Sequence, residues 1–150
     1  SHAFDTNGSQ FDELGNLNDW WTEEDYKAFE VKTQALIDQF NNEEHLGTSV
    51  NGTLTIAENG ADNAGLSCAM EVVKELPDAD LEAFFRSWAT IWRMKASPEY
   101  EQILLTADVH APQKIRANVP PTNFEEFYTT FDIKEGDGMY RPVEDRVQIW

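Results

Sequence analysis

Helix-start chemistry recurs along this chain ahead of segments whose apolar residues are spaced three and four apart, and that pattern constrains the fold most. Thr22, followed by Glu23, Glu24 and Asp25, is an N-cap with an acidic first turn. Tyr26, Phe29, Leu36, Ile37 and Phe40 come next as a helical stripe broken by polar Thr33, and Asn41-Asn42 ends it. Asp80 caps another helix, with Leu81, Phe84, Phe85, Trp88, Ile91 and Trp92 on one face. Ser97-Pro98 starts a further one, proline taking the first helical position and Tyr100, Ile103 and Leu104 turning inward. The chain is predicted to be mainly α-helical.

Between these segments, residues 41–53 are polar and Asn51-Gly52 signals a turn. A helix is predicted over 56–75, broken by Pro77-Asp78. Pro112, Pro120 and Pro121 forbid continuous helix over 107–121, which reads as a long ordered loop. A last helix over 123–131 buries Phe124, Phe127, Tyr128 and Phe131, before Gly136-Asp137-Gly138 turns the chain.

At 150 residues, 41% hydrophobic and 12% aromatic, the chain has the material for one domain with a real core. No apolar run approaches the ~18 residues of a membrane span, and no signal peptide pattern opens it. With 11 basic and 28 acidic residues the net charge is −17, which repels phosphate backbones and argues against nucleic acid as a partner. Cationic peptides would be attracted, although an acidic surface also serves solubility alone.

Chemistry concentrates in Glu58-Asn59-Gly60-Ala61-Asp62 and in His2. On a helix, the i, i+4 spacing of Glu58 and Asp62 stacks two carboxylates on one face, at a cost of roughly 0.2–0.5 kcal/mol unless a cation sits nearby. Histidine plus glutamate is half of a catalytic zinc site. A zinc peptidase helix reads H-E-x-x-H, and His2 sits where the final histidine of that motif would fall. Bland readings remain open for each residue. Thr55 to Glu58 also fits a capping box, His2 near a terminus need do nothing, and a lone loop His110 or a surface Arg116 is ordinary.

Several segments, in order, carry a family resemblance. His2-Ala3-Phe4-Asp5-Thr6-Asn7-Gly8 and Asp19-Trp20-Trp21-Thr22 resemble the stretch just after the zinc helix in the neprilysin and endothelin-converting-enzyme family. Val50-Asn51-Gly52-Thr53-Leu54-Thr55, Glu58-Asn59-Gly60-Ala61-Asp62, Asp108-Val109-His110-Ala111-Pro112 and Met139-Tyr140-Arg141-Pro142 continue the match in register, to Trp150. Within the family pattern E-N-x-A-D-x-G-G, Gly60 replaces a branched aliphatic and Ala64 the first glycine. Gly60 should soften its helix by about 1 kcal/mol relative to alanine.

The resemblance implies the helical C-terminal part of a thermolysin-like, zincin catalytic domain, cut within the H-E-x-x-H helix. It implies a zinc metalloendopeptidase hydrolysing oligopeptides, with His2 and Glu58 as metal ligands. Asp62 would act one shell out, on the motif's first histidine, and Asp5 would either support His2 or simply form a turn. His110 would donate to the developing oxyanion. Arg116 would grip a substrate backbone carbonyl, oriented by Asp108. The general base, the motif's glutamate, is not in this chain, so the 150 residues alone are expected to be inactive and to bind zinc weakly at best. The other open reading is a noncatalytic helical module that binds peptides.

Secreted relatives place disulfide cysteines at positions matching Ala35, Arg93, Ile133 and Val147, none of which is cysteine here. A bacterial, cytoplasmic branch is therefore expected. The lone Cys68 reads as inert core. His45, in a polar loop, is assigned no role, and the acidic stretch between Asp5 and Asp19 lacks the spacing of a calcium loop. Ile56, Leu66 and Met70, with the aromatic face of 84–92, are expected to be left partly uncovered and to favour self-association.

Overall fold

The structure is a computed structural model that describes residues 2–5, 7–18 and 20–149. It opens with two 3-10 turns, His2–Phe4 and Gly8–Gln10. Helix α1 (Glu23–Asn41) starts at Thr22, whose hydroxyl oxygen accepts from the Asp25 N–H while the Asp25 carboxylate accepts from the Thr22 N–H. This reciprocal cap holds the Asp25 carboxyl below its ordinary range, through bonds from the Thr22 hydroxyl and backbone N–H. Thr33, the polar break in the stripe, is itself buried beside Leu36 and Phe40.

A two-stranded antiparallel hairpin comes next, β1 (Glu44–His45) against β2 (Thr48–Ser49), with His45 opposite Thr48. Its tight turn is Leu46-Gly47, at φ 52° and 73°, the left-handed pair that matches the twist of a two-residue hairpin loop.

Helix α2 (Gly52–Lys74) begins one turn earlier than its apolar pattern suggests. Asn51 is its N-cap, accepting from the Leu54 N–H at 2.9 Å. Gly52 therefore serves packing, not a turn: a methyl there would lie 2.3 Å from the Ile37 carbonyl oxygen, so glycine lets α1 and α2 approach. Thr55 falls inside the helix and donates to the Asn51 carbonyl. That rules out the Thr55–Glu58 capping box and frees the Glu58 carboxylate.

Helix α3 (Leu81–Ile91) is capped by Asp80, and α4 (Pro98–Ala107) by Ser97 with proline in its first turn. Tyr100 and Ile103 do not turn inward; they are 53% and 61% exposed. The segment expected to be a loop contains α5 (Gln113–Asn118) and a 3-10 turn, Pro120–Asn123. Pro112 immediately precedes α5 and Pro120 opens the 3-10 turn, positions where a missing N–H costs nothing. Helix α6 (Glu125–Phe131) closes the helical part.

Two apolar clusters flank α2. Leu36 and Phe40 of α1 meet Val50, Ile115, Val119, Val147 and Ile149 in one. Leu66, Met70, Phe85, Phe124, Phe127 and Tyr128 form the other. Leu66 and Met70, 1% and 2% exposed, are thus covered by α3 and α6, contrary to expectation, whereas Ile56 is only partly buried and Ile91 is 63% exposed. Cys68 is exposed and not core, because it lies off the α2 face that carries Leu66 and Met70. No helix among the described residues is long and apolar enough to cross a membrane.

Candidate active site

The middle of α2 is where chemistry and packing separate. Asn59 and Asn63 point into the protein, 1% and 3% exposed. The asparagine amides donate to the Thr55 hydroxyl and to the Val147 carbonyl. Glu58 and Asp62, one residue back and so about 100° round the helix, look to a different side, each toward its own partner.

Glu58 faces two imidazoles. Its Oε2 lies 3.7 Å from His2 Nε2 and 3.1 Å from His110 Nε2. His2 is brought there by a local knot: its Nδ1 donates to Asp5 Oδ2 at 2.8 Å, while Asp5 Oδ1 accepts from the N–H groups of Asn7 and Gly8. Asp5 thus both supports the ring and forms the turn. Burial pushes its carboxyl up, but the bonds from Gly8, His2 and Asn7 outweigh that and hold it below the ordinary value. Gly8 is required, because a methyl there would come 1.9 Å from the His2 carbonyl oxygen.

The Asp5 bond sets the tautomer. With the proton on Nδ1, Nε2 presents a lone pair toward Glu58, the form in which histidine ligates a metal. Two donors about 2.0–2.2 Å from a tetrahedral zinc lie roughly 3.3–3.6 Å apart. The 3.7 Å between His2 Nε2 and Glu58 Oε2 lies just above that spacing. Among the described residues no three such side chains converge as a complete metal cage. The pair supplies two donors.

His110 stands behind Glu58. Its Nδ1 donates to Asp108 Oδ1 at 2.8 Å, and its backbone N–H donates to the same oxygen at 3.0 Å. Asp108 thus holds Nδ1, while Nε2 faces the Glu58 carboxylate as an ion-pair contact. Burial pushes the Asp108 carboxyl up, yet the His110 bonds and the fields of His110 and Arg116 hold it below the ordinary range.

Asp62 and Arg116 form the other half. The guanidinium meets the carboxylate side-on, Nε to Oδ2 at 2.7 Å and Nη2 to Oδ1 at 2.8 Å, with side chains only 12% and 10% exposed. Arg116 also stacks 3.7 Å over the Trp92 ring, and Trp88 Nε1 donates to the Arg116 carbonyl. The hydrogen bonds that orient Arg116 are thus donated to Asp62; Asp108 reaches it only through its field and accepts instead from His110. Trp88 and Trp92 read in sequence as plain core residues. Their spacing on α3 identifies a face but not the cation it carries.

All five anticipated residues, His2, Glu58, Asp62, His110 and Arg116, therefore meet on one side of α2, as two clusters. The fold has known counterparts. The chain belongs to peptidase family M13, whose profile residues 1–147 match. It is 57% identical, over its full 150 residues, to the neutral endopeptidase of Lactococcus lactis subsp. lactis, and 42% identical to that of Lactobacillus helveticus. It covers 24% and 23% of those two proteins, and so spans about a quarter of their length. The crystal structure of PEPO from Lactobacillus rhamnosis superposes on the whole chain with a TM-score of 0.94 at 46% identity, the match covering 24% of that structure. The zinc metalloprotease ZMP1 of Mycobacterium tuberculosis, solved with an inhibitor, matches 99% of this chain at a TM-score of 0.91 and 34% identity, over 25% of its own length.

Proposed function

We propose that these residues are the C-terminal part of the catalytic domain of a zinc-dependent endopeptidase that hydrolyses oligopeptides. The observation that carries this reading is the approach of His2 Nε2 to Glu58 Oε2 at 3.7 Å, just above the spacing of two zinc donors. In the whole enzyme His2 and Glu58 would hold the ion together with the first histidine of an H-E-x-x-H motif, whose glutamate would be the general base. Zinc, when bound, supplies Lewis-acid polarisation of the scissile carbonyl.

The remaining roles belong to this chain. His110 would give its Nε2 proton as a hydrogen bond to the carbonyl oxygen as negative charge develops there, a contact stabilising the transition state by roughly 3–4 kcal/mol. Asp108 holds the other ring nitrogen, Nδ1, and so keeps Nε2 on the side of Glu58. Arg116 would hold a substrate backbone carbonyl with the part of its fork that Asp62 leaves uncommitted, a task suited to a permanently charged, planar group. Asp62 would act chiefly through Arg116. The absence of cysteine at the four disulfide positions supports a reducing, cytoplasmic setting for the bacterial enzyme.

Kinetics of the intact endopeptidase test the assignment. His110→Ala should lower kcat by about a hundredfold or more with little change in KM, the mark of a contact made in the transition state. Arg116→Ala should raise KM. An effect of His110→Ala confined to KM would refute the oxyanion role. Assayed alone on a fluorogenic peptide, the 150 residues should be inactive and should bind zinc weakly.

A further inference from the structure

His45, which has no place in the proposed chemistry, is tied to it through α4. Its ring nitrogen Nε2 is hydrogen-bonded to Glu101 Oε2, and the two side chains are only 13% and 24% exposed. An ionised carboxylate only accepts, so the ring donates. Glu101 lies in the first turn of α4, and Asp108, which caps the other end of that helix, holds the His110 ring. His45, Glu101, Leu104, Asp108 and His110 line one narrow cleft.

The bond matters because α4 is poorly anchored otherwise. No residue of α4 is buried, and only Leu105 of this helix packs, partly covered, against the nearby apolar cluster. Gln102 adds a long 3.4 Å bond to the Thr48 hydroxyl, again on the hairpin. The position of α4, and with it the aim of His110, therefore depends on polar ties to β1 and β2. We propose that His45 is a positioning residue, and that its bond to Glu101 clamps the hairpin onto α4 so that Asp108 presents His110 toward the reacting carbonyl. This rests on the oxyanion role proposed for His110.

The test compares His45→Ala, His45→Gln and His110→Ala in the intact endopeptidase. His45→Ala should lower kcat about tenfold, with KM changed less than about twofold, because a small misplacement of a catalytic group is costly. His45→Gln, whose amide reaches the same place, should recover most of that loss. A crystal structure of His45→Ala should find the His110 ring shifted from its position on Asp108, a readout that needs no activity. The proposal is overturned if His45→Ala leaves kcat and the His110 ring unmoved, or if His45→Gln fails to restore what alanine loses. Were His110→Ala itself without effect on kcat, the oxyanion role would fall, and the ring position in the His45→Ala crystal would still decide whether His45 clamps α4.

Discussion

The two clusters on α2 are built on opposite plans. Asp62 and Arg116 are almost fully covered, doubly hydrogen-bonded and stacked on Trp92. His2 is 58% exposed, is held by one side-chain bond to Asp5, and stops short of hydrogen-bonding distance to Glu58. The first cluster is closed by paired hydrogen bonds; in the second, Glu58 Oε2 stands between two imidazoles, 3.7 Å from His2 and 3.1 Å from His110. A guanidinium can be locked by its neighbours in advance, whereas the metal ligands proposed here need a lone pair that an ion can reach.

That contrast can be broken from the rigid side first. Arg116→Ala leaves the Asp62 carboxylate covered and unpaired and should destabilise the chain by about 3 kcal/mol. His2→Ala removes an exposed ring and should cost less than about 0.5 kcal/mol. Chemical denaturation of both variants checks the ratio, and equal losses would erase the distinction. Trp92→Leu keeps an apolar side chain but removes the ring under Arg116, and should cost about 1–2 kcal/mol in the same assay. Gly8→Ala should act the other way round: little loss of stability, but a displaced His2 and weaker zinc binding in the intact enzyme, measured by competition with a chelator.

The smallest effects lie outside both clusters. Gly60→Ala meets only the Ile149 side chain, at an ordinary 3.8 Å, and should stabilise α2 by up to about 1 kcal/mol. A shift of the melting temperature upward checks it. At the start of α1, the folded-state pKa of Asp25 is lowered from 3.8. The unfolded chain then binds more protons, so this contribution is fully present above that value and is lost as pH falls through the folded pKa. Asp25→Asn should flatten that part of the acid-unfolding curve and leave stability near neutrality less dependent on this cap.

Helix starts at Thr22, Asp80 and Ser97-Pro98 are legible in the sequence because capping is local chemistry, decided within one turn. The start of α2 is not, since Gly52 is dictated by the passing carbonyl of Ile37 rather than by its own neighbours. Prolines that read as loop markers at 112 and 120 instead stand at the heads of short helical turns. Tyr100 and Ile103 obey helical spacing yet lie exposed, because periodicity identifies a face without saying whether anything covers it.

For the site, family resemblance points to the residues and the structure supplies their pairing. Asp62 and Arg116 are 54 positions apart, far enough in sequence to escape any spacing rule. The Asp108–His110 bond, two residues long, is within reach of sequence reasoning, but resemblance alone pairs Asp108 with the arginine instead. His45 and Glu101, 56 positions apart, leave no local signal at all.

The central claim is that His2 and Glu58 are partners at one ion. Metal analysis of the full-length protein, wild type against Glu58→Ala, tests this most directly. The wild-type protein should carry stoichiometric zinc, and the variant less than about a tenth as much, because loss of a ligand leaves the ion an incomplete set. Stoichiometric zinc retained by a folded Glu58→Ala protein would contradict it.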